Sequence, residues 1–116
     1  IWDTHKVKAA LFHPSVRSAL LEFPIEVRKE LGKAILDLQH GAKLSMPLSK
    51  PMSSVAVGVE ELRIKDAAGI YRVFYFTRST KGIIVFHAFV KKAQKTPRNE
   101  IELGRKRLKE MLYEND

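Results

Sequence analysis

Apolar positions along the chain change period part-way. From Ile25 to His40 they recur at helical spacing: Val27, Leu31, Ala34, Ile35 and Leu38 form one stripe, and Glu26, Lys29, Glu30, Lys33 and Asp37 face away from it. Gly41 follows as a helix stop. A shorter helical run precedes it, with Val16, Ala19, Leu20 and Phe23 at matching spacing. Pro14 suits the first turn of that run, and Pro24 ends it while opening the next. The two segments predict a helical hairpin whose apolar faces need a partner.

After residues 42–54, which read as a loop by Pro47, Pro51 and several serines, the period drops to two. Leu62 and Ile64 share one face of a strand from about Val57 to Lys65, and Glu61, Arg63 and Lys65 share the other. Turns at Asp66 to Gly69 and at Ser79-Thr80-Lys81-Gly82 separate two further strands, Ile70 to Thr77 and Gly82 to Val90. Both are apolar on both parities, which predicts central strands covered on both faces. Short connections make an antiparallel meander the expected arrangement. A weak alternation over Ile1 to Phe12 adds a candidate edge strand.

Thr96 suits the cap of a last helix, with Pro97 at its first position and Glu100 and Glu102 near its start. Ile101, Leu108, Met111 and Leu112 give that helix an apolar face, and Gly104 near it suits close approach to another element. The expected fold is α+β: an N-terminal helical hairpin packed on a small antiparallel sheet, with a C-terminal helix. At 116 residues the chain is expected to form a single domain over 1–116.

Charge sharpens this picture. Lys and Arg outnumber Asp and Glu by 21 to 13, a net charge of +8. Such an excess favours nucleic acid, an anionic membrane surface or an acidic protein. From Lys91 to Lys109 there are eight cations against two anions, so the positive field is localised. The absence of cysteine excludes disulfides and thiolate catalysis. No apolar run approaches the ~18 residues that span a bilayer, and no signal-type segment opens the sequence, so no membrane association and a cytoplasmic location are expected.

Candidate chemistry centres on the cations of the strands. Arg72 sits inside an apolar strand, where a guanidinium needs solvent, a carboxylate or a phosphate. An ion pair with Glu60 or Glu61 of the adjacent strand is one solution. His87, within Phe86-His87-Ala88-Phe89, reads by default as a core or pairing residue. His5, His13 and His40 form no metal-binding spacing with it, and no phosphate loop, nucleophile elbow or paired-carboxylate pattern occurs. No metal, cofactor or small-molecule ligand is therefore expected. A cation-lined sheet of this kind is compatible with cleavage of RNA, whose 2′-hydroxyl is its own nucleophile.

Four short motifs carry a resemblance. Glu61-Leu62-Arg63-Ile64, Gly69-Ile70-Tyr71-Arg72-Val73-Phe74-Tyr75, His87-Ala88-Phe89-Val90-Lys91-Lys92 and Gln94-Lys95-Thr96-Pro97 occur in order. Together they resemble the phage-derived HigB-like toxins of the RelE superfamily. The resemblance implies a RelE-like fold and an mRNA endonuclease acting at the ribosome, held inactive by a helix-turn-helix antitoxin. By position it implies Arg63, Lys65, Arg72 and Lys92 as catalytic cations, with Lys91, Lys95, Arg98 and His87 as RNA-binding residues.

The tyrosine that RelE-type enzymes often place after the last cation has no counterpart at Thr96-Pro97-Arg98. Tyr113 and Asp116 are only a loose match to the C-terminal residues of other members. The general base is thus open among Lys65, Lys92, His87 and Tyr75. A ParE-like gyrase inhibitor on the same fold, and a non-catalytic RNA-binding module, are the alternative functions. Lys29, Lys33, Arg105 and Lys109, on helix faces, are candidate contacts for an acidic antitoxin segment, against the plainer reading of solvated helix faces.

Overall fold

A computed structural model describes residues 7–91 and 96–113. In chain order the elements are β1 (Ala10–Phe12), α1 (Pro14–Leu21), α2 (Ile25–Gln39), β2 (Ser49–Pro51), β3 (Val59–Asp66), β4 (Gly69–Ser79), β5 (Gly82–Lys91) and α3 (Arg98–Tyr113). The α+β class and the helical hairpin are as expected. The sheet is larger than expected and mixed. Its five strands run in the order β1-β5-β4-β3-β2, and β1 lies parallel to β5 with Ala10 opposite Ile83. Only β3, β4 and β5 form the predicted antiparallel meander.

Two departures have local causes. The stretch read as a loop contains β2, which pairs antiparallel with β3 through Ser49, Lys50 and Pro51. Proline is tolerated there because β2 is an edge strand with one hydrogen-bonded side. The expected N-terminal strand is confined to Ala10–Phe12, and its first six positions lie outside the described residues. Gly82 closes this edge: it turns at φ 131°, and an added Cβ would stand 2.4 Å from the Ala9 carbonyl oxygen. Glycine alone meets both demands.

The sheet separates two apolar layers. On one face Leu62, Ile64, Tyr71, Val73 and Val85 pack against Val16 of α1 and Val27, Leu31, Ala34 and Leu38 of α2. Phe23, at the turn of the hairpin, meets Tyr71 edge-on at 5.0 Å. On the other face Val59, Phe74, Ile84, Phe86 and Phe89 pack against Leu108 of α3. This accounts for the double-sided apolar pattern of β4 and β5.

α3 starts beside the polar part of that second face and runs over the apolar part. Gly104 sets how closely it can approach: a Cβ there would lie 2.8 Å from Phe74 Cδ2 and 2.9 Å from Cε2. Both ring atoms belong to a fully buried residue with no room to yield. Gly104→Ala is therefore expected to destabilise by about 1–3 kcal/mol despite its better helix propensity. A lowered urea midpoint with an unchanged m-value is the check.

Candidate nucleic-acid site

The alternation of β3 sends Glu61, Arg63 and Lys65 to the face opposite α1 and α2. Register then sets their neighbours: Arg63 lies opposite Arg72, Lys65 opposite Ile70, and Ile70 opposite Lys91 of β5. Two arginines directly opposite each other repel. Glu61 offsets that cost. Fully buried, it receives Arg72 Nη1 at 2.5 Å on Oε1, and Arg63 Nε stands 3.9 Å from the same oxygen. Of the two glutamates offered by the sequence as partners of Arg72, the structure selects Glu61; Glu60 instead accepts from Ser49 at 3.2 Å.

The other carboxylate oxygen of Glu61 ties the cluster to the far end of the chain. Thr96 Oγ1 donates to Glu61 Oε2 at 3.3 Å and accepts from Lys91 Nζ at 3.3 Å. The Thr96 hydroxyl, expected to cap α3, serves this bridge, and α3 begins at Arg98 with the Pro97 carbonyl accepting from Glu100 and Ile101. Lys91 is 5% exposed. Burial, then the positive charges of Arg72, Arg63 and Lys50 against the opposing pull of Glu61, lowers its pKa to about 8. An ordinary lysine is a poor base near neutrality; one at this value exchanges protons there readily.

Arg63, Arg72 and Lys91 thus gather around one carboxylate, with Lys65 exposed farther along the same face. Arg72 is 1% exposed and forms the floor; Arg63 is the more accessible guanidinium. Lys92 and Lys95 lie outside the described residues. Arg98 stands on the exposed side of α3 and pairs with Glu102 at 3.2 Å. Tyr75 points to the opposite layer, where its hydroxyl meets Ser49 at 2.6 Å and burial raises its pKa, the wrong direction for a base.

His87 occupies a second polar cluster, beneath α3. Its ring is 2% exposed between Phe74 and Phe89. Arg107 Nη1 donates to Nδ1 at 2.6 Å, and Nε2–H donates to Glu100 Oε1 at 2.6 Å. Arginine has no acceptor, so these partners demand the neutral ring. Burial pushes its pKa down; the hydrogen bond to Glu100 opposes this and the charge of Arg107 reinforces it. His13 repeats the arrangement at the start of α1, accepting from the Ser15 N–H and meeting Glu110 Oε1 at 2.7 Å.

A pH dependence follows from His87. The unfolded ring binds a proton near its ordinary value of 6.5, and the folded ring only at lower pH. Stability present above that value is therefore lost as pH falls below it. The melting temperature is expected to drop between about pH 7 and pH 5, with a shallower slope in His87→Asn. Equal slopes would exclude His87 as the source.

Sequence reasoning named the cations but not what organises them. Glu61 entered only as a possible partner of Arg72, Thr96 as a cap, and Lys50 not at all. The signal for Glu61 was present in its shared parity with Arg63 and Lys65. Among the described residues, no group of three or more His, Asp or Glu side chains could hold a metal ion. No helix among them is long and apolar enough to cross a membrane.

The family model of phage derived protein Gp49-like (DUF891) matches residues 18–109, which include the whole of this cluster. The chain belongs to the Gp49-like family. Gp49-like proteins are typically toxins of RelE type, and membership points in general to a toxin of a toxin–antitoxin pair and implies an antitoxin partner. No curated protein and no solved structure matches the chain. The Gp49-like match begins inside α1 and ends before the last turn of α3, so β1 lies outside the matched residues.

Proposed function

We propose that this Gp49-like protein is a metal-independent endoribonuclease of the HigB-like branch, cleaving translated mRNA at the ribosome and neutralised by a helix-turn-helix antitoxin. The observation that carries the reading is the convergence of Arg63, Arg72 and Lys91 on buried Glu61, with an amine of pKa about 8 among them. A structural ion pair alone would explain Arg72. It does not explain why a third cation is buried beside two others.

In this reading the scissile phosphate sits over Arg63, with Arg72 behind it supplying positive charge from the floor. The neutral Lys91 amine leaves Thr96 and takes the proton of the 2′-hydroxyl. The 2′-oxygen then bonds to phosphorus, and the bond to the 5′-oxygen breaks. Arg63 offsets charge on the phosphorane. Lys65 gives a proton to the leaving 5′-oxygen, so the products are a 2′,3′-cyclic phosphate and a 5′-hydroxyl. By its position in the family pattern Lys92 supplies a further cation to this chemistry. His87 positions α3 and leaves the RNA contacts to Lys91, Lys95 and Arg98.

Mapping message 5′ ends after induction tests the reading. New ends inside translated messages, lost in Lys91→Met, are the expected result. Growth arrest without new ends, accompanied by inhibited supercoiling of purified gyrase, would replace it with the ParE-like alternative. RNA binding without cleavage on active ribosomes would leave a non-catalytic module.

A further inference from the structure

A groove of about 270 Å³ lies between residues 55–57, Phe76 of β4 and the last turns of α3. Its walls are apolar: Phe76, Leu108 and Leu112 line it, and Val57 and Tyr113 at its mouth are 76% and 75% exposed. Its rim is cationic. Arg105 and Lys109 border it, and among the described residues no carboxylate lines it. Arg105 is fixed in place by two hydrogen bonds to the Ser54 carbonyl, at 2.6 and 3.1 Å. That carbonyl leaves the guanidinium charge unneutralised.

The carboxylates of α3 are engaged elsewhere: Glu100 with His87, Glu102 with Arg98 and Glu110 with His13. Among the described residues neither Arg105 nor Lys109 forms an ion pair. The α2 cations differ, since Lys29 pairs with Glu26 at 3.8 Å and Lys33 with Asp37 at 3.1 Å. Of the four cations singled out in the sequence for an acidic partner, two are answered internally and two face this groove.

We propose that the groove docks an acidic segment of the antitoxin, with apolar side chains seated on Val57, Phe76 and Leu112 and carboxylates meeting Arg105 and Lys109. An RNA strand would satisfy the cations and could stack on Tyr113, but it would leave Val57, Leu108 and Leu112 unused, which favours protein. The inference rests on the reading of the chain as a toxin with a protein partner. It separates two properties, because groove and cluster lie toward opposite ends of α3, a helix of 16 residues and hence about 24 Å. Docking here leaves the cluster itself untouched.

The test uses Val57→Asp, Lys109→Glu and the double variant of the full chain, with the product of the adjacent antitoxin gene. Calorimetric titration is expected to show each single substitution weakening the complex about tenfold and the double about 100-fold. Expressed alone, the variants are expected to be as toxic as the parent; co-expressed, they are expected to escape neutralisation. A complex of unchanged affinity in the folded double variant overturns the docking site and leaves the nuclease reading standing. A harmless parent chain overturns the toxin reading, while the titration still decides the groove. Weakened RNA binding by Lys109→Glu, with antitoxin affinity intact, would assign the face to nucleic acid instead.

Discussion

Arg72→Ala is expected to cost about 3–5 kcal/mol of folding stability, while replacing both members of its ion pair with apolar residues costs far less. The single substitution leaves Glu61, fully buried, without its close ion pair and facing Arg63 at 3.9 Å, the Thr96 hydroxyl and the more distant charge of Lys91. A carboxylate stripped of its main counter-charge in such a place carries most of its desolvation penalty. Glu61→Leu with Arg72→Met removes penalty and compensation together, and is expected to unfold within about 1–2 kcal/mol of the parent.

Function should part from stability in that double variant. It retains the fold but loses the positive floor of the site, so cleavage of a translated reporter message is expected to fall by about 10²–10³. Urea unfolding and cleavage measured on the same preparations check both halves. Full activity in a folded double variant would mean that the pair is architectural and nothing more.

The second large effect concerns Lys91. In the proposed mechanism it is the base and must be neutral to accept the 2′-hydroxyl proton, and its pKa of about 8 means that the competent fraction grows with pH up to that value. The rate kcat/KM is expected to rise about tenfold per pH unit below it and to level off above. Lys91→Met is expected to lose about 10²–10⁴ in rate. Lys91→Arg is the sharper variant, because it restores the charge but never releases its proton. Inactivity of both assigns a proton-transfer role; recovery in Lys91→Arg would reduce Lys91 to a phosphate contact.

Elements that depend on local pattern were legible in the sequence. The α2 stripe, the stop at Gly41, the parity of β3 and the close approach at Gly104 all follow from spacing within a few residues. β2 was not, because Ser49-Lys50-Pro51 has no strand propensity and is a strand only through its pairing with β3. The parallel seat of β1 beside β5 joins distant segments and leaves no local trace. At the site the division is the same. Parity put Arg63 and Lys65 on one face, but the choice of Glu61 over Glu60 needed the register of β3 against β4. The lowered pKa of Lys91 arises from burial and from charges on β2, β3 and β4, none adjacent to it in sequence. Thr96 misled for a related reason: a cap-forming residue before Pro97 found a better acceptor across the fold.

The pairing of Ala10 with Ile83 has a bearing on synthesis. β1 is synthesised well before β5, so it has no strand to pair with until β5 clears the exit tunnel. Contacts of such long sequence separation form late and slowly. The same delay applies to the cluster, whose members run from Glu61 to Thr96. The cationic centre therefore cannot assemble until Thr96 has been made, after every strand of the sheet.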